Sequence, residues 1–343
     1  MHCFSKYISF GLLALLGCSC SRPDDSGNRE GTLFKTNLHV STLAPEEHTL
    51  LPTIQAANQM NPEDLNPIKT LAVYQYDPEG NRREFSFHDY TNGGQIPGEM
   101  SVEFPVELRA YGEGLDATIC LIANMDESMC RDIYNNSPLL TDFQAYHKVD
   151  VPYEGMSGSN LGAGHLTTSY MSGYYEGPVI ENTSISVALG RIISNFNIGI
   201  IVSEDFPWNS RPSQVRLQLQ NIPMQTFAFP PRVSDYEGLS IPRGSFQEES
   251  LQVSTTEYNR CYYYVAAFAA LTKDDACRLH ISTTINGQTR EATVLLGNDE
   301  PGTPNRSYNV WRNSNYTFNL RLVPKGNKKS QYEARPGEII VPL

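Results

Sequence analysis

Alternating hydrophobic and polar positions predict most of the strands of this chain. Residues 101–110 alternate most cleanly, and one face of this segment carries Val102, Phe104, Val106, Leu108 and Ala110. Pro105 lies on the opposite, mainly polar face and has no N–H to donate to a neighbouring strand. The pattern therefore predicts an edge strand or a bulge at this segment.

Other segments repeat this pattern. Residues 68–76 predict a strand that ends at the turn Asp77-Pro78-Glu79-Gly80, and residues 118–123 are apolar on both faces, as in a central strand. Asn286-Gly287 is a two-residue hairpin signal. Further strands are predicted over 185–202, 215–222, 261–271, 278–285, 288–296 and 316–323, and short helices near 53–61 and 138–147. The spacing of strands and turns favours β-sandwiches over alternating strands and helices.

Composition agrees with an all-β protein and limits its partners. Of 343 residues, 40% are hydrophobic, which is enough for packed cores, and the 25 Gly and 22 Pro are dispersed as in a turn-rich chain. With 26 basic and 38 acidic residues the net charge is −12. So acidic a chain has no general attraction for phosphate backbones, and we expect no nucleic-acid partner.

The length suits two domains of moderate size. Residues 155–178 are rich in Gly, Ser and Tyr, and a new strand begins near Ile185. We therefore predict an N-terminal β-sandwich over 32–184 and a C-terminal β-sandwich over 185–323. Each segment is long enough for a core of its own.

Residues 1–17 have the pattern of a signal peptide. Lys6 precedes the apolar run Ile8–Leu16, which is too short to span a bilayer. The run ends in Leu15-Leu16-Gly17-Cys18, which resembles a bacterial lipobox and implies cleavage before Cys18 and lipidation of its thiol. The alternative is an ordinary secretory signal with an incidental cysteine.

Lipidation at Cys18 would anchor the protein to a membrane without a transmembrane helix. No other stretch approaches 18 apolar residues. Residues 18–31 are polar and are predicted to be a flexible tether between the lipid and the folded part.

The remaining cysteines leave two alternatives. Cys3 would leave with the signal peptide, and Cys20 lies in the tether. Outside the cytoplasm the other four could form two local disulfides. The alternative is four buried free thiols, since two of them lie in apolar runs. The pairs would be Cys120 with Cys130 and Cys261 with Cys277.

Catalytic and metal-binding patterns are not evident. The seven histidines have no H-x-H or H-E-x-x-H spacing, and Ser157 lacks the final glycine of a nucleophile elbow. We interpret the acidic pairs Glu204-Asp205 and Asp274-Asp275 as parts of solvated turns. We therefore predict no enzyme activity, no cofactor and no metal site.

Five short motifs, in order along the chain, resemble the fimbrillin family, the lipoprotein pilins and pilus accessory proteins of Bacteroidetes. The closing motif Trp311–Leu320 is similar to the family's final strand, "R-N-x-x-Y" followed by alternating apolar residues. The others are Lys69–Tyr76, Leu121–Asn124, Met171–Gly173 and Leu189–Ser194. The resemblance implies two tandem transthyretin-like β-sandwich domains and a role in surface fimbriae, with other fimbrial subunits as partners.

In polymerising members of this family an arginine-specific protease removes the first strand, and a neighbour's terminal segment fills the vacated groove. The resemblance places the first strand at Thr32–Val40, with Leu33, Leu38 and Val40 as pocket-filling side chains. No arginine lies between Arg29 and Arg82. An uncleaved first strand would suit an anchor or tip subunit better than a stalk pilin.

The C-terminal tail, residues 324–343, ends in alternating apolar residues. Ile339, Val341 and Leu343 are predicted to form a short donated strand. The alternative is that the tail pairs with its own domain or frays.

The sequence thus predicts a lipid-anchored, surface-exposed outer-membrane protein that is a structural or accessory subunit of fimbriae and contributes to adhesion to a host or bacterial surface ligand. The alternative is a glycan-binding surface lipoprotein. It would need exposed aromatic platforms, and Tyr174, Tyr175 and residues 262–264 are the candidates, although such tyrosines more often pack in sheets. A secreted hydrolase has the least support, because no nucleophile and base can be paired.

Overall fold

The computed structural model consists mainly of strands, which confirms the all-β prediction. It describes residues 31–43, 46–49, 68–90, 101–112, 114–166, 168–270, 272–296, 308–326 and 338–343. The two α-helices are α1 (Glu127–Asn136) and α2 (Leu140–Gln144). The strands are β1 (Thr32–Thr42), β2 (Glu46–Thr49), β3 (Thr70–Tyr76), β4 (Arg82–Asp89), β5 (Ser101–Ala110), β6 (Ala117–Ala123), β7 (Val149–Asp150), β8 (Met171–Gly177), β9 (Ser184–Arg191), β10 (Ile193–Val202), β11 (Gln214–Pro223), β12 (Gln225–Thr226), β13 (Arg243–Ser245), β14 (Glu249–Gln252), β15 (Asn259–Ala266), β16 (Cys277–Ile285), β17 (Gln288–Leu296), β18 (Ser314–Val323) and β19 (Glu338–Pro342).

Both helices follow from local signals, although only α2 was predicted. In α1 the Asp126 side chain accepts a hydrogen bond from the Met129 amide at 2.9 Å and so caps the first turn. Cys130 and Ile133 then lie three residues apart on the buried face. The helix predicted near 53–61 lies outside the described residues.

The first sheet has seven strands in the order β4-β3-β6-β8-β9-β1-β5. All neighbours are antiparallel except β1 and β9, which are parallel. The predicted edge strand is β5, and its Pro105 lies opposite Asn37 of β1. The predicted central strand is β6, which is buried along its whole length.

This sheet curls so that its two ends meet. The buried Gln75 side chain of β3 donates to the Arg109 carbonyl at 2.7 Å and accepts from the Arg109 amide at 2.8 Å, although Arg109 belongs to β5 at the far end of the sheet. Arg109 also forms an ion pair with Glu84 of β4. A core of side chains from β3 and β6 and from β1, β5 and β9 fills the interior.

Two further sheets make up most of the second half. One has the order β15-β10-β18-β19, with β2 also paired to β18, and the other has the order β13-β11-β16-β17, with β14 paired to β11. The inward residues of both sheets pack in one core, as in a sandwich. The predicted hairpin at Asn286-Gly287 joins β16 to β17, and both turn residues have positive φ.

The predicted stretch 185–202 is two strands rather than one. β9 pairs with β1 and β8 in the first sheet, whereas β10 pairs with β15 and β18 in the second. Every other residue of β9 is exposed near its start, while β10 is buried throughout. The change of sheet therefore falls at Ile192.

The larger core also extends under the first sheet. It includes Tyr74, Tyr76 and Ile122 from the outer face of β3 and β6, which α1 and α2 cover, and it continues into the second-half sheets. Because one core contains residues from both halves, the division into two domains stays a prediction.

Candidate functional site

The first strand lies inside the first sheet and not at its edge. β1 pairs with β5 over ten residue pairs, from Thr32 to Ser41, and with β9 over six. Its Thr36 hydroxyl also donates to the Thr183 carbonyl at 2.5 Å. Among the described strands β5 pairs only with β1. Loss of β1 would therefore open a slot with unpaired backbone groups on both sides.

Two of the three predicted pocket-filling residues point inward. Leu38 and Val40 are fully buried, whereas Leu33 is 44% exposed. Successive side chains of a strand alternate between faces, so an odd-numbered residue cannot share the face of Leu38 and Val40. The prediction for Leu33 is wrong, and half-buried Phe34 and buried Thr36 lie on the inward face instead.

The C-terminal tail forms a strand within its own chain. β19 runs parallel to β18, from Glu338 beside Asn319 to Pro342 beside Val323. Val341 and Leu343 are buried, and Ile339 is partly buried against the larger core. The three predicted apolar residues therefore do face one way, and in this structure they pack on β18 of the same molecule.

An ion pair fixes the start of this tail strand. The Arg321 guanidinium binds the Glu338 carboxylate through two hydrogen bonds of 2.7 Å, and the Tyr258 hydroxyl donates to the same carboxylate. The Glu338 side chain is 2% exposed and that of Arg321 is 15% exposed. These hydrogen bonds raise the pKa of Arg321, so the pair stays ionised. Sequence reasoning missed this pair, and its only signal is that Arg321 lies within an apolar strand segment while Glu338 directly precedes Ile339.

β10 pairs with one edge of β18. Two segments that are far apart in the sequence share the other edge. β2 pairs with residues 314–317 and β19 with residues 319–323, both in parallel orientation. Neither segment is long, and each covers about half of the same edge. This arrangement makes β18 a shared acceptor for short strands.

In this structure the four cysteines of the folded part are free and buried, and the two local disulfides stay a prediction. Burial raises the pKa of Cys130 and of Cys261 to about 12, and it raises the pKa of Cys120 and Cys277 as well. Protonated, enclosed thiols are poor nucleophiles. They serve here as small apolar side chains.

The tyrosines at 174 and 175 do not form one platform. Tyr174 is 48% exposed and packs against Phe229, with ring centroids 4.9 Å apart. Tyr175 points to the other face of β8, where its hydroxyl donates to the Pro178 carbonyl at 3.0 Å. The two rings therefore lie on opposite faces and cannot act together on one ligand.

The closing motif joins the first sheet to the second. The Arg312 guanidinium donates to the Ser172 carbonyl at 3.0 Å, to its hydroxyl at 2.9 Å and to the Gly190 carbonyl at 2.7 Å. Burial lowers the pKa of Arg312 to about 10. Asn313 adopts a φ of +53°, and its amide donates to the Ile193 carbonyl at 2.9 Å. The motif therefore fixes β18 against β8, β9 and β10.

Other predicted sites are not visible in the described part of the chain. Cys18, the predicted lipidation site, lies outside it. Within the described ranges no three His, Cys, Asp or Glu side chains are placed to hold a metal ion, and no helix is long and apolar enough to cross a membrane.

Comparisons with known proteins give matches at the level of fold. No family model and no curated protein matches the chain. The tip fimbrial protein Mfa3 of Porphyromonas gingivalis, solved with a C-terminal truncation, matches with a TM-score of 0.55 and 13% identity over 86% of this chain and 96% of that one.

Two candidate cell adhesion proteins match similarly. One, from Parabacteroides distasonis ATCC 8503, has a TM-score of 0.54 at 15% identity and covers 84% of this chain and 88% of its own. The other, from Bacteroides eggerthii DSM 20697, has a TM-score of 0.54 at 11% identity and covers 86% and 88%. The chain therefore has the fold of Bacteroidales fimbrial and cell adhesion proteins, as its resemblance to the fimbrillins implies.

Proposed function

We propose that this protein is an accessory subunit, at the tip or the anchor, of cell-surface fimbriae. It would be held at the outer membrane by a lipid on Cys18, join other subunits by strand exchange and contribute to adhesion. The observation that carries the proposal is the fold shared with a tip fimbrial protein over 86% of the chain. The proposal involves no catalysis.

The pairing of β1 with two neighbouring strands supports an accessory role rather than a stalk role. β1 carries the ladders of both β5 and β9, so its removal would cost two sets of backbone hydrogen bonds. The sequence also has no arginine between Arg29 and Arg82 at which an arginine-specific protease could release it. A retained first strand leaves no vacant groove in this subunit.

The tail supports a role as strand donor. Ile339, Val341 and Leu343 present one apolar face, and the parallel ladder that this segment forms with β18 supports its pairing with an acceptor edge. In assembly the same segment would pair with a neighbouring subunit instead of its own β18. The exchange replaces one ladder by an equivalent one.

The N-terminus of the protein extracted from fimbriated cells tests the proposed role. We expect intact mass and N-terminal sequencing to give a lipidated start at Cys18 in protein that co-purifies with fimbriae. A start beyond residue 40 would instead identify a polymerising stalk subunit. Absence of the protein from purified fimbriae would contradict the function itself.

Deletion of residues 336–343 tests donation. We expect the shortened chain to fold and reach the surface but to be missing from fimbriae, because the donated strand is gone. Glu338→Ala keeps the chain length but removes the buried partner of Arg321, and we expect it to reduce incorporation less. Glu127→Ala, which breaks the exposed pair with Arg131, is the matched control. Normal incorporation of the deletion variant would refute donation.

A further inference from the structure

A polar cleft lies on the sheet that contains β11 and β16, away from the tail and the first strand. Its volume is about 650 Å³, within the range of roughly 300–1,000 Å³ usual for ligand pockets. Its walls come from β11, β13 and β16, the segment after β13, and the loop around Asn160. Its polar side chains include Gln218, Gln220, Arg243 and Arg278.

The amide side chains of the floor are oriented by the protein. The Gln218 side chain donates to the Phe246 carbonyl at 3.2 Å, and the Gln220 side chain donates to the Gln218 side-chain oxygen at 2.7 Å. Gln220 lies opposite Arg278 on β16 and opposite Ser245 on β13. Amide and guanidinium groups from three adjacent strands therefore face one space.

The loop that forms one wall is fixed by backbone contacts. The Ser245 amide donates to the Ser159 carbonyl at 2.9 Å, and the Leu161 amide donates to the Ser245 carbonyl at 2.8 Å. Gly244 permits this approach, because a Cβ there would lie 2.5 Å from the Ser159 carbonyl oxygen. The cleft is thus preformed, which lowers the entropic cost of binding.

The charge of the cleft is opposite to that of the whole chain. The carboxylate nearest Arg278 is that of Asp274 at 3.7 Å, and this side chain is 99% exposed, so water screens the pair. Arg243 donates to the Asn221 and Asp275 carbonyls, at 3.1 and 3.0 Å, and the charge of the Asp275 carboxylate acts on it without a direct ion-pair contact among the described residues. The acidic side chain at the cleft, Glu248, lies 3.6 Å from Arg216. A positive site remains in a chain of net charge −12.

We propose that this cleft binds an acidic saccharide, a sugar that carries a carboxylate. Amides donate and accept at once, as sugar hydroxyls require, and a guanidinium binds a carboxylate through two parallel hydrogen bonds. The aromatic residue of the cleft, Phe246, is buried, so the described residues that line the cleft offer no ring on which a neutral sugar could stack. The inference rests on the proposed adhesive function and names its ligand class.

The test uses the full-length chain on an array of uronic-acid and sialic-acid glycans, each beside its methyl ester. We expect binding to acids and not to esters, and weaker binding as salt rises. Arg278→Gln should weaken binding about ten- to a hundredfold, the usual contribution of a charge-assisted hydrogen bond. Gln220→Ala, a milder change in the floor, should weaken it less. Arg290→Gln, the same change on β17 outside the cleft, should leave binding unchanged.

Equal binding to acids and esters, no binding to either, or full binding by Arg278→Gln would overturn the inference. Circular dichroism of each variant shows whether it is folded. Association with fimbriae is measured in parallel on the same variants. If the chain joins fimbriae but binds no acidic glycan, the proposed ligand of the cleft is refuted and the proposed function is not. If the chain binds the glycan but never joins fimbriae, the proposed fimbrial function is refuted.

Discussion

At the scale of the residue, burial determines what the reactive side chains can do. The four cysteines of the folded part are enclosed, and burial raises the pKa of Cys130 and Cys261 to about 12, from an ordinary value of 9.0. An apolar environment penalises the thiolate, which is the reactive form. These thiols are therefore protected from oxidation even if the protein works outside the cytoplasm.

Alkylation followed by peptide mapping tests this protection. We expect iodoacetamide to leave Cys120, Cys130, Cys261 and Cys277 unmodified in the native protein and to modify all four after denaturation without a reductant. A cysteine that needs reductant before it reacts would instead be part of a disulfide.

The same thiols make the free energy of unfolding depend on pH in the alkaline range. A thiol whose folded pKa is raised stabilises the fold below pH 9, and this contribution is lost as the pH rises towards 12.

At the scale of the element, alternation predicted strands well where one face is buried and the other exposed. β5 begins and ends where the pattern does, and β6, apolar on both faces, lies between two partners. The pattern failed where an apolar run continues across a change of sheet, as between β9 and β10. A run of buried residues does not show which sheet buries them.

Pairing between distant segments could not be predicted either. The edge of β18 is covered by β2 and β19, and the partners of such short strands depend on tertiary packing rather than on local sequence. The tail residues Ile339, Val341 and Leu343 were identified from alternation, but their partner was not. The polar cleft was also missed. In the sequence Gln218, Gln220 and Arg278 have the pattern of ordinary solvent-facing residues on two separate strands, and only the pairing of β11 with β16 brings them together.

At the scale of the whole molecule, one buried amide contributes to the closure of the seven-stranded sheet. Gln75 holds both backbone groups of Arg109 and so joins β3 to β5 across the sheet. A side chain here takes the place of a strand neighbour. If it were absent, the Arg109 amide and carbonyl would lose their partners where Gln75 now excludes water.

Replacement of this amide tests its contribution. We expect Gln75→Leu, which keeps most of the volume, to lower the free energy of unfolding by roughly 2–4 kcal/mol, because two backbone groups lose their hydrogen bonds. Urea denaturation measures the effect. Gln252→Leu, at an exposed position of β14, should change stability by less than about 0.5 kcal/mol. Equal stability of Gln75→Leu and the parent chain would show that the sheet closes without this contact.

The division of the β18 edge also has a mechanical consequence. β2 pairs with the beginning of β18 and β19 with its end, and all three strands run in the same direction. Ladder hydrogen bonds lie across the strands, so tension applied to the end of β19 along β18 loads the β18–β19 ladder in shear, with all its bonds strained together. Bonds pulled in this way rupture as a group rather than peeling one at a time, and a subunit under traction would resist extension at this edge.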